Sequence, residues 1–296
     1  MAIKNKLNEL DYLPAINVHL LERRISCVTV PRIVDAIHAA CVEDIKITVA
    51  NYNVHSFNLS MQLPWFYEFI QSAEIAHCDG MGILKALQFM GYNLSQKYRA
   101  SYTLLMPKLL DNFNQNSFSI FLLGSKPKHL ETALNNLREQ YPNIVVDGHH
   151  GYFDKEDPRQ NEEIINKINQ AKPNLLLVGM GMPIQEKWIW QHRSRLNVNV
   201  FMPGGAVIDR LAGLVPDCPE FISNLGGEWL YRLSREPKRL AARYLLGNPA
   251  FFFQLALAKF YAQPLRVEKM GYMLNGQKHS LDEPVSLLSP LPQGMN

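Results

Sequence analysis

KPNLLLVGMGMPIQE, running from Lys172 to Glu186, is the stretch that decides the fold. Its apolar run, Leu175-Leu176-Leu177-Val178, is short, continuous and bounded by turn residues, as expected of a parallel strand buried on both faces. The run breaks at Gly179-Met180-Gly181 and restarts as a helix at Met182-Pro183-Ile184-Gln185-Glu186. Glycine permits a sharp turn and close backbone approach, and proline is pre-organised for a first helical turn. The segment therefore predicts a helix N-terminus at the carboxyl end of a strand, where unpaired N–H groups and the helix dipole favour an anion. GMGMP is neither G-x-G-x-x-G nor a P-loop, because no Gly-Lys-Ser/Thr follows. On these residues alone, an ordinary strand-to-helix turn explains the sequence at least as well as an anion site.

On both sides of this segment, strands and helices alternate from about residue 25 to about residue 202. Strands are predicted at Ile45 to Asn51, Phe118 to Leu123, Ile144 to Asp147, Leu175 to Val178 and Val198 to Met202. Helices are predicted at Gln62 to Ala73, Ile83 to Met90, His129 to Gln140, Gln160 to Ala171 and Pro183 to Leu196. Such alternation builds a parallel sheet with helices on both faces, a Rossmann-like α/β domain, and places ligands at the carboxyl ends of the strands. Asn51, Gly124, Gly179 to Gly181 and Gly204-Gly205 all fall at predicted strand ends.

The chain has 296 residues, enough for a full core, with 47% apolar and 19% charged residues, which argues against disorder. A net charge of +3 is too small to indicate a nucleic-acid binder. The four cysteines are far apart and form no C-x-x-C pair, so neither a zinc site nor a disulfide framework is suggested and a reducing cytosol fits best. The N-terminal segment is polar and lacks the apolar core of a signal peptide. No run reaches the about eighteen apolar residues of a spanning helix.

The character changes after about residue 222. Glu228 to Tyr244 carries Arg232, Arg235, Lys238, Arg239 and Arg243, with leucines interleaved and Pro237 positioned to interrupt the helix. Phe251-Phe252-Phe253 follows. Basic residues beside an aromatic-aliphatic face suit an interfacial helix on anionic lipid, and equally suit a solvated face beside a core helix. These features divide the chain into an α/β domain (1–222), a basic amphipathic helical appendage (223–263) and a loose tail (264–296).

Several segments, in order, carry a resemblance: Ala50-Asn51, Cys78-Asp79-Gly80-Met81-Gly82, Phe121-Leu122-Leu123-Gly124, and Gly179 to Glu186. Gly204-Gly205-Ala206-Val207-Ile208-Asp209 with Ala212-Gly213, then Glu228 to Leu233 and Glu236-Pro237-Lys238-Arg239, complete the set. The chain resembles the WecG/TagA/CpsF glycosyltransferases (glycosyltransferase family 26) from roughly residue 16 to residue 253. The resemblance implies a cytoplasmic enzyme, peripheral to the inner face of the membrane, with a Rossmann-like domain and a C-terminal membrane-associating appendage. It implies transfer of a sugar (N-acetylmannosamine, glucose or uronic-acid type) from a UDP-sugar to a polyprenyl-diphosphate-linked saccharide. Inversion at the anomeric carbon, no cofactor and no obligatory metal are part of the same expectation. The products would feed wall polymers, capsules and exopolysaccharides, and homo-oligomers are compatible with it.

Displacing UDP with a sugar hydroxyl requires a base and stabilisation of the departing diphosphate. Asp79 matches the family's active-site Asp and is the expected base; by local pattern it also reads as a helix N-cap. Pro183, Gln185 and Glu186, with Gly179 and Gly181, are expected on the donor side, although Gln185 and Glu186 also read as polar residues of a first helical turn. Asn51, with Thr48 nearby, corresponds loosely to the family's T-x-N segment. Gly124, Gly205 and Asp209 fall at strand ends or matched motifs; Asp209 reads as a ribose or sugar contact or as a structural carboxylate. Arg232, Arg239 and Arg243 suit diphosphate, because guanidinium matches phosphate oxygens and stays charged. His149-His150 read as a loop pair. Two departures stand out: Asp217-Cys218-Pro219 replaces the usual Arg-Ala-Pro, and Lys97 to Thr103 replaces an ERVTGxD-like segment, with Arg99 or Lys97 standing in for its arginine. A competing reading is a nucleotide-sugar-binding homologue without catalysis.

Overall fold

Nine strands form one sheet among the residues described by the computed structural model: 16–92, 94–216, 218–219, 221–222, 226–261, 266–269, 272–274 and 277–279. They are β1 (Ile16–Leu20), β2 (Arg23–Ser26), β3 (Ile47–Tyr52), β4 (Ile75–Cys78), β5 (Ser119–Gly124), β6 (Val145–His149), β7 (Leu175–Gly179), β8 (Val200–Pro203) and β9 (Arg266–Lys269). The spatial order is β6-β5-β7-β8-β3-β4-β2-β1-β9. From β6 to β2 every neighbouring pair is parallel; β1 runs antiparallel to both β2 and β9. The chain leaves β3 for β4 toward one edge, and β5 to β8 fill the other side. The β3–β8 seam is therefore the switch point at which a crevice opens at the strands' carboxyl ends.

The helices are α1 (Val30–Val42), α2 (Val54–Gln62), α3 (Pro64–Ser72), α4 (Met81–Phe89), α5 (Tyr102–Asn116), α6 (Pro127–Gln140), α7 (Pro158–Ala171), α8 (Ile184–His192) and α9 (Val207–Leu211). Three more follow: α10 (Glu228–Arg235), α11 (Pro237–Leu245) and α12 (Gly247–Phe260). The central strands are buried on both faces, so their side chains feed two cores. One core joins the sheet to α1, α5, α6 and α9; the other joins it to α2, α3, α4, α7, α8 and α12. The α/β class and the two-sided covering of the sheet agree with the sequence pattern.

The predicted helix from Pro183 to Leu196 is shorter: α8 ends at His192, and a 3-10 turn takes Arg193–Arg195. Helices α1, α2 and α5 and the β1–β2 hairpin were not anticipated. Pro237 breaks the basic segment as its chemistry requires, ending α10 and opening α11 at its first turn. The appendage docks through α12: Phe251 lies ring-to-ring with Phe57 of α2 at 5.1 Å, and Asn58 Nδ2 donates to Gly247 O at 2.8 Å. Burying a Phe of this kind stabilises the docking by about 1.5–3 kcal/mol. Within the segment read as a loose tail, Arg266–Lys269 forms β9 and Tyr272–Leu274 pairs with Gln277–His279; residues 280–296 lie outside the described residues. No helix among the described residues is long and apolar enough to cross a membrane.

Candidate active site

Asp79 leaves β4 with its N–H still in the sheet ladder, donating to Tyr52 O at 2.8 Å. Gly80 then turns the chain at φ 130°, a conformation open mainly to glycine, and α4 starts at Met81. Gly80, not Asp79, occupies the N-cap position, and no side chain caps this helix. The Asp79 carboxylate instead takes a 2.6 Å hydrogen bond from Asn51 Nδ2, across the β3–β4 pair, and another from Asn53. Burial raises the Asp79 pKa, while Asn51, Arg232, Arg210 and Asn53 pull it back. A carboxylate with a raised pKa is a stronger base, and this one is held by an amide pair and faces guanidinium groups.

Asp79 opens on a cavity of about 240 Å³ between the sheet's carboxyl edge and the appendage. Arg232 of α10 and Arg243 of α11 line one wall, Lys85 of α4 and His55 of α2 the other, and Trp229, Tyr244 and Phe252 add aromatic surface. The N-termini of α2 and α4 both meet the cavity. Asn53 caps α2 in a reciprocal box with Ser56, and Arg243 Nη2 approaches the same Asn53 oxygen at 3.5 Å. Burial and the Arg243 charge lower the His55 pKa to about 4, so His55 is neutral at physiological pH. The cavity thus gathers helix-end donors, cations and one carboxylate, a combination suited to an oxyanion leaving group.

Across the switch point, the ends of β5, β7 and β8 crowd together. A side chain at Gly124 would reach to 2.3 Å from Gly179 O, and one at Gly179 would meet Ile208 and Gly205 O inside 3.0 Å. Gly181 (φ 83°) and Gly205 (φ 57°) instead face open space and form the exposed lip of this wall. Gln185 ties the lip together: its Oε1 accepts from Gly181 N at 3.1 Å and from Gly205 N at 3.0 Å. Its Nε2 donates to Glu186 Oε1 at 2.8 Å. Below the lip, Asp209 of α9 accepts from Ser125 Oγ and lies 2.9 Å from His129 Nδ1.

Behind these walls lies a buried titratable cluster. Burial lifts the Glu186 pKa to about 7, against partial opposition from the Gln185 hydrogen bond and the Arg243 charge. Burial holds the His77 imidazole neutral, with a pKa of about 4. Tyr102 packs edge-on against His77 and donates to Pro203 O at 2.7 Å; burial, then the charges of Asp79 and Glu186, push its pKa well up.

The structure brings Asp79, Asn51, Arg232 and Arg243 to one site, and Gly124, Gly179, Gly181, Gly205 and Asp209 to the adjoining wall. Pro183 precedes α8, which begins at Ile184. Gln185 and Glu186 are fully or almost fully buried, so their polar groups serve the protein's own turns. Thr48 is not at the site: it sits near the start of β3, its N–H donating to Glu74 Oε2, because the strand runs four residues further before its carboxyl end. Arg99 is buried beside the strand end, where Ala100 N donates to Cys78 O. The Arg239 side chain and Asp217 lie outside the described residues. Sequence reasoning missed Asn53, His55, Lys85, Tyr102, Ser125, His129 and Arg210. Asn53 three residues before Ser56 was a legible capping signal; the others are joined only by tertiary structure.

This geometry agrees with relatedness. Residues 18–264 match the model of the glycosyl transferase WecG/TagA/CpsF family, and the chain belongs to that family. It is a glycosyltransferase. Among its relatives is the N-acetylglucosaminyldiphosphoundecaprenol N-acetyl-beta-D-mannosaminyltransferase of Staphylococcus aureus strain MW2, 32% identical over 228 residues that cover 74% of this chain and 87% of the relative. The protein of the same name from strain MRSA252 has the same identity and coverage.

Proposed function

We propose that this enzyme moves a sugar from a UDP-sugar to a saccharide carried on polyprenyl diphosphate, with inversion. The N-acetylmannosamine donor and N-acetylglucosamine-diphospholipid acceptor in its relatives' name are the first pair to test. The observation that carries the reading is Asp79, uncapped to α4 and held by Asn51, at the mouth of a cavity walled by the appendage arginines. The acceptor hydroxyl oxygen attacks the anomeric carbon from the face opposite UDP and yields its proton to Asp79. The bond from that carbon to the diphosphate oxygen breaks, and its electron pair leaves with UDP. Arg232, Arg243 and the helix N-termini take up the leaving charge, a role that asks nothing of a metal. The Gly181–Gly205 lip and Asp209 form the donor wall.

The exposed aromatic face of the appendage supports attachment to the inner membrane surface. Phe253 and Phe260 of α12 are 64% and 82% exposed; Lys259 lies on the same helix, and Arg235 ends α10. Sedimentation with vesicles containing anionic lipid, against neutral vesicles, tests this part. For the reaction, UDP release is measured over a panel of UDP-sugars with a short polyprenyl-diphosphate N-acetylglucosamine acceptor. Acceptor-dependent release by the wild type and its loss in a folded Asp79→Asn protein are expected. Near-normal turnover by that variant excludes Asp79 as the base.

A further inference from the structure

Glu186 is 2% exposed and directly follows Gln185, which is 0% exposed. The two side chains form a relay. Glu186 Oε1 takes the Gln185 amide N–H, which fixes which way the amide faces, since only its oxygen can accept. That oxygen then accepts both glycine N–H groups of the donor lip, one from the turn after β7 and one from the turn after β8. The two glycine N–H groups call for the amide oxygen on one side, and the carboxylate supplies the acceptor that the buried Nε2 needs on the other. The other Glu186 oxygen, Oε2, is buried and has no hydrogen-bond partner among the described residues. An apolar side chain would fill this place at lower desolvation cost, so the retained carboxyl calls for a use.

That use is made by Oε1, the acceptor that closes the relay. Arg243, on the appendage, is the cation whose charge acts on it. Tyr102 of α5 feels Glu186 and Asp79 together, and Tyr102 itself stays neutral. We propose that Glu186 is a positioning residue: as the acceptor for the Gln185 amide it holds the clasp that joins the Gly181 and Gly205 turns. This rests on the reading of the glycine lip as the donor wall. Either protonation state of Glu186 leaves an oxygen able to accept, so its hold on Gln185 persists across pH.

The test is UDP binding by calorimetry to the full chain, wild type, Glu186→Gln and Glu186→Ala, at pH values one unit below and above the Glu186 midpoint. Taking the ratio of each variant to wild type at each pH cancels the titration of UDP and of Asp79. Glu186→Gln keeps an acceptor for Gln185 and loses the charge. It is expected to match wild type at both pH values. Glu186→Ala loses the acceptor and is expected to bind about tenfold more weakly at either pH. Clearly weakened binding by a folded Glu186→Gln protein, or wild-type affinity in Glu186→Ala, overturns the relay. A lower melting temperature with unchanged UDP affinity marks Glu186 as structural only and also overturns the proposal. If Glu186→Ala does not fold, Glu186→Leu, which fills the site but offers no acceptor, takes its place and is expected to show the same loss of affinity. Absence of UDP binding by the wild type, by contrast, would overturn the donor-wall reading itself.

Discussion

Replacing Gln185 by methionine removes the clasp of the Gly181–Gly205 lip while nearly preserving side-chain volume, so no cavity contributes to the outcome. Three polar groups lose their partner: Gly181 N–H, Gly205 N–H and Glu186 Oε1. Leaving a buried donor or acceptor unsatisfied costs about 1–3 kcal/mol. The two glycines are only partly buried, which places their N–H groups near the low end of that range. Glu186 Oε1 is enclosed and lies nearer the top. The sum is about 3–5 kcal/mol, a large share of the about 5–15 kcal/mol of a typical native state. Urea unfolding of Gln185→Met should therefore show a lower midpoint at an unchanged slope, with a folded baseline still present. Its UDP affinity should fall as well, because the lip loses its fixed geometry. A destabilisation below about 1 kcal/mol would refute the reasoning, because it would mean the three bonds contribute little beyond what water supplies.

Gly124→Ala should be poorly folded, since its Cβ would stand 2.3 Å from Gly179 O at φ 153°. Gly181→Ala, at φ 83° with nothing nearby, should cost only about 1–2 kcal/mol; comparing the two melting temperatures checks this. The Glu186 pKa of about 7, against an ordinary 4.5, means that the unfolded chain gives up this proton first. Stability from this group is intact below 4.5 and falls by about 3 kcal/mol as pH rises to about 7. Glu186→Gln should lack that loss, so the stability difference from wild type should widen across this window and stay level above it in urea titrations. His77 and His55, depressed to about 4, act in the opposite direction between about 4 and 6.5, but they are common to both proteins and cancel. Asp79→Asn should retain its fold and lose about 10²–10⁴ in turnover, read as UDP release.

The β7 strand was legible because a continuous apolar run between turn residues leaves few alternatives. Helix α5 was hidden by Pro107 within it and by Asn112, Asn114 and Asn116 near its end, residues that argue locally against a helix. Asp79 illustrates what a local pattern leaves open. Asp before Gly at a helix start reads equally as cap or base, and the choice depends on Gly80 taking the cap position while Asn51, from another strand, takes the carboxylate. Gln185 misleads in the opposite sense. An amide at a strand-to-helix turn looks available to a ligand, yet its partners come from two turns that only the sheet order brings together. Thr48 was placed by motif, and strand length decided against it.

The position of the appendage bears on how Asp79 can be both buried and basic. Burial raises its pKa and makes it a stronger base, whereas Arg232 and Arg210 lower it. In the proposed reaction the cation wall therefore weakens the base at the same time as it stabilises the leaving diphosphate. Burial, the larger influence, depends partly on the same helices, because α10 to α12 form the side of the cavity facing the sheet. In the proposed reaction, docking of the appendage thus supplies both the dryness that strengthens Asp79 and the charge that meets the leaving diphosphate. Removing one arginine changes only the second of these. Arg232→Ala should thus shift the acid limb of the activity–pH profile upward, since the base loses a neighbouring cation, while turnover falls through poorer leaving-group stabilisation. An acid limb that moved down instead would mean that the cavity had opened to water, and that Arg232 holds the appendage closed rather than serving the diphosphate.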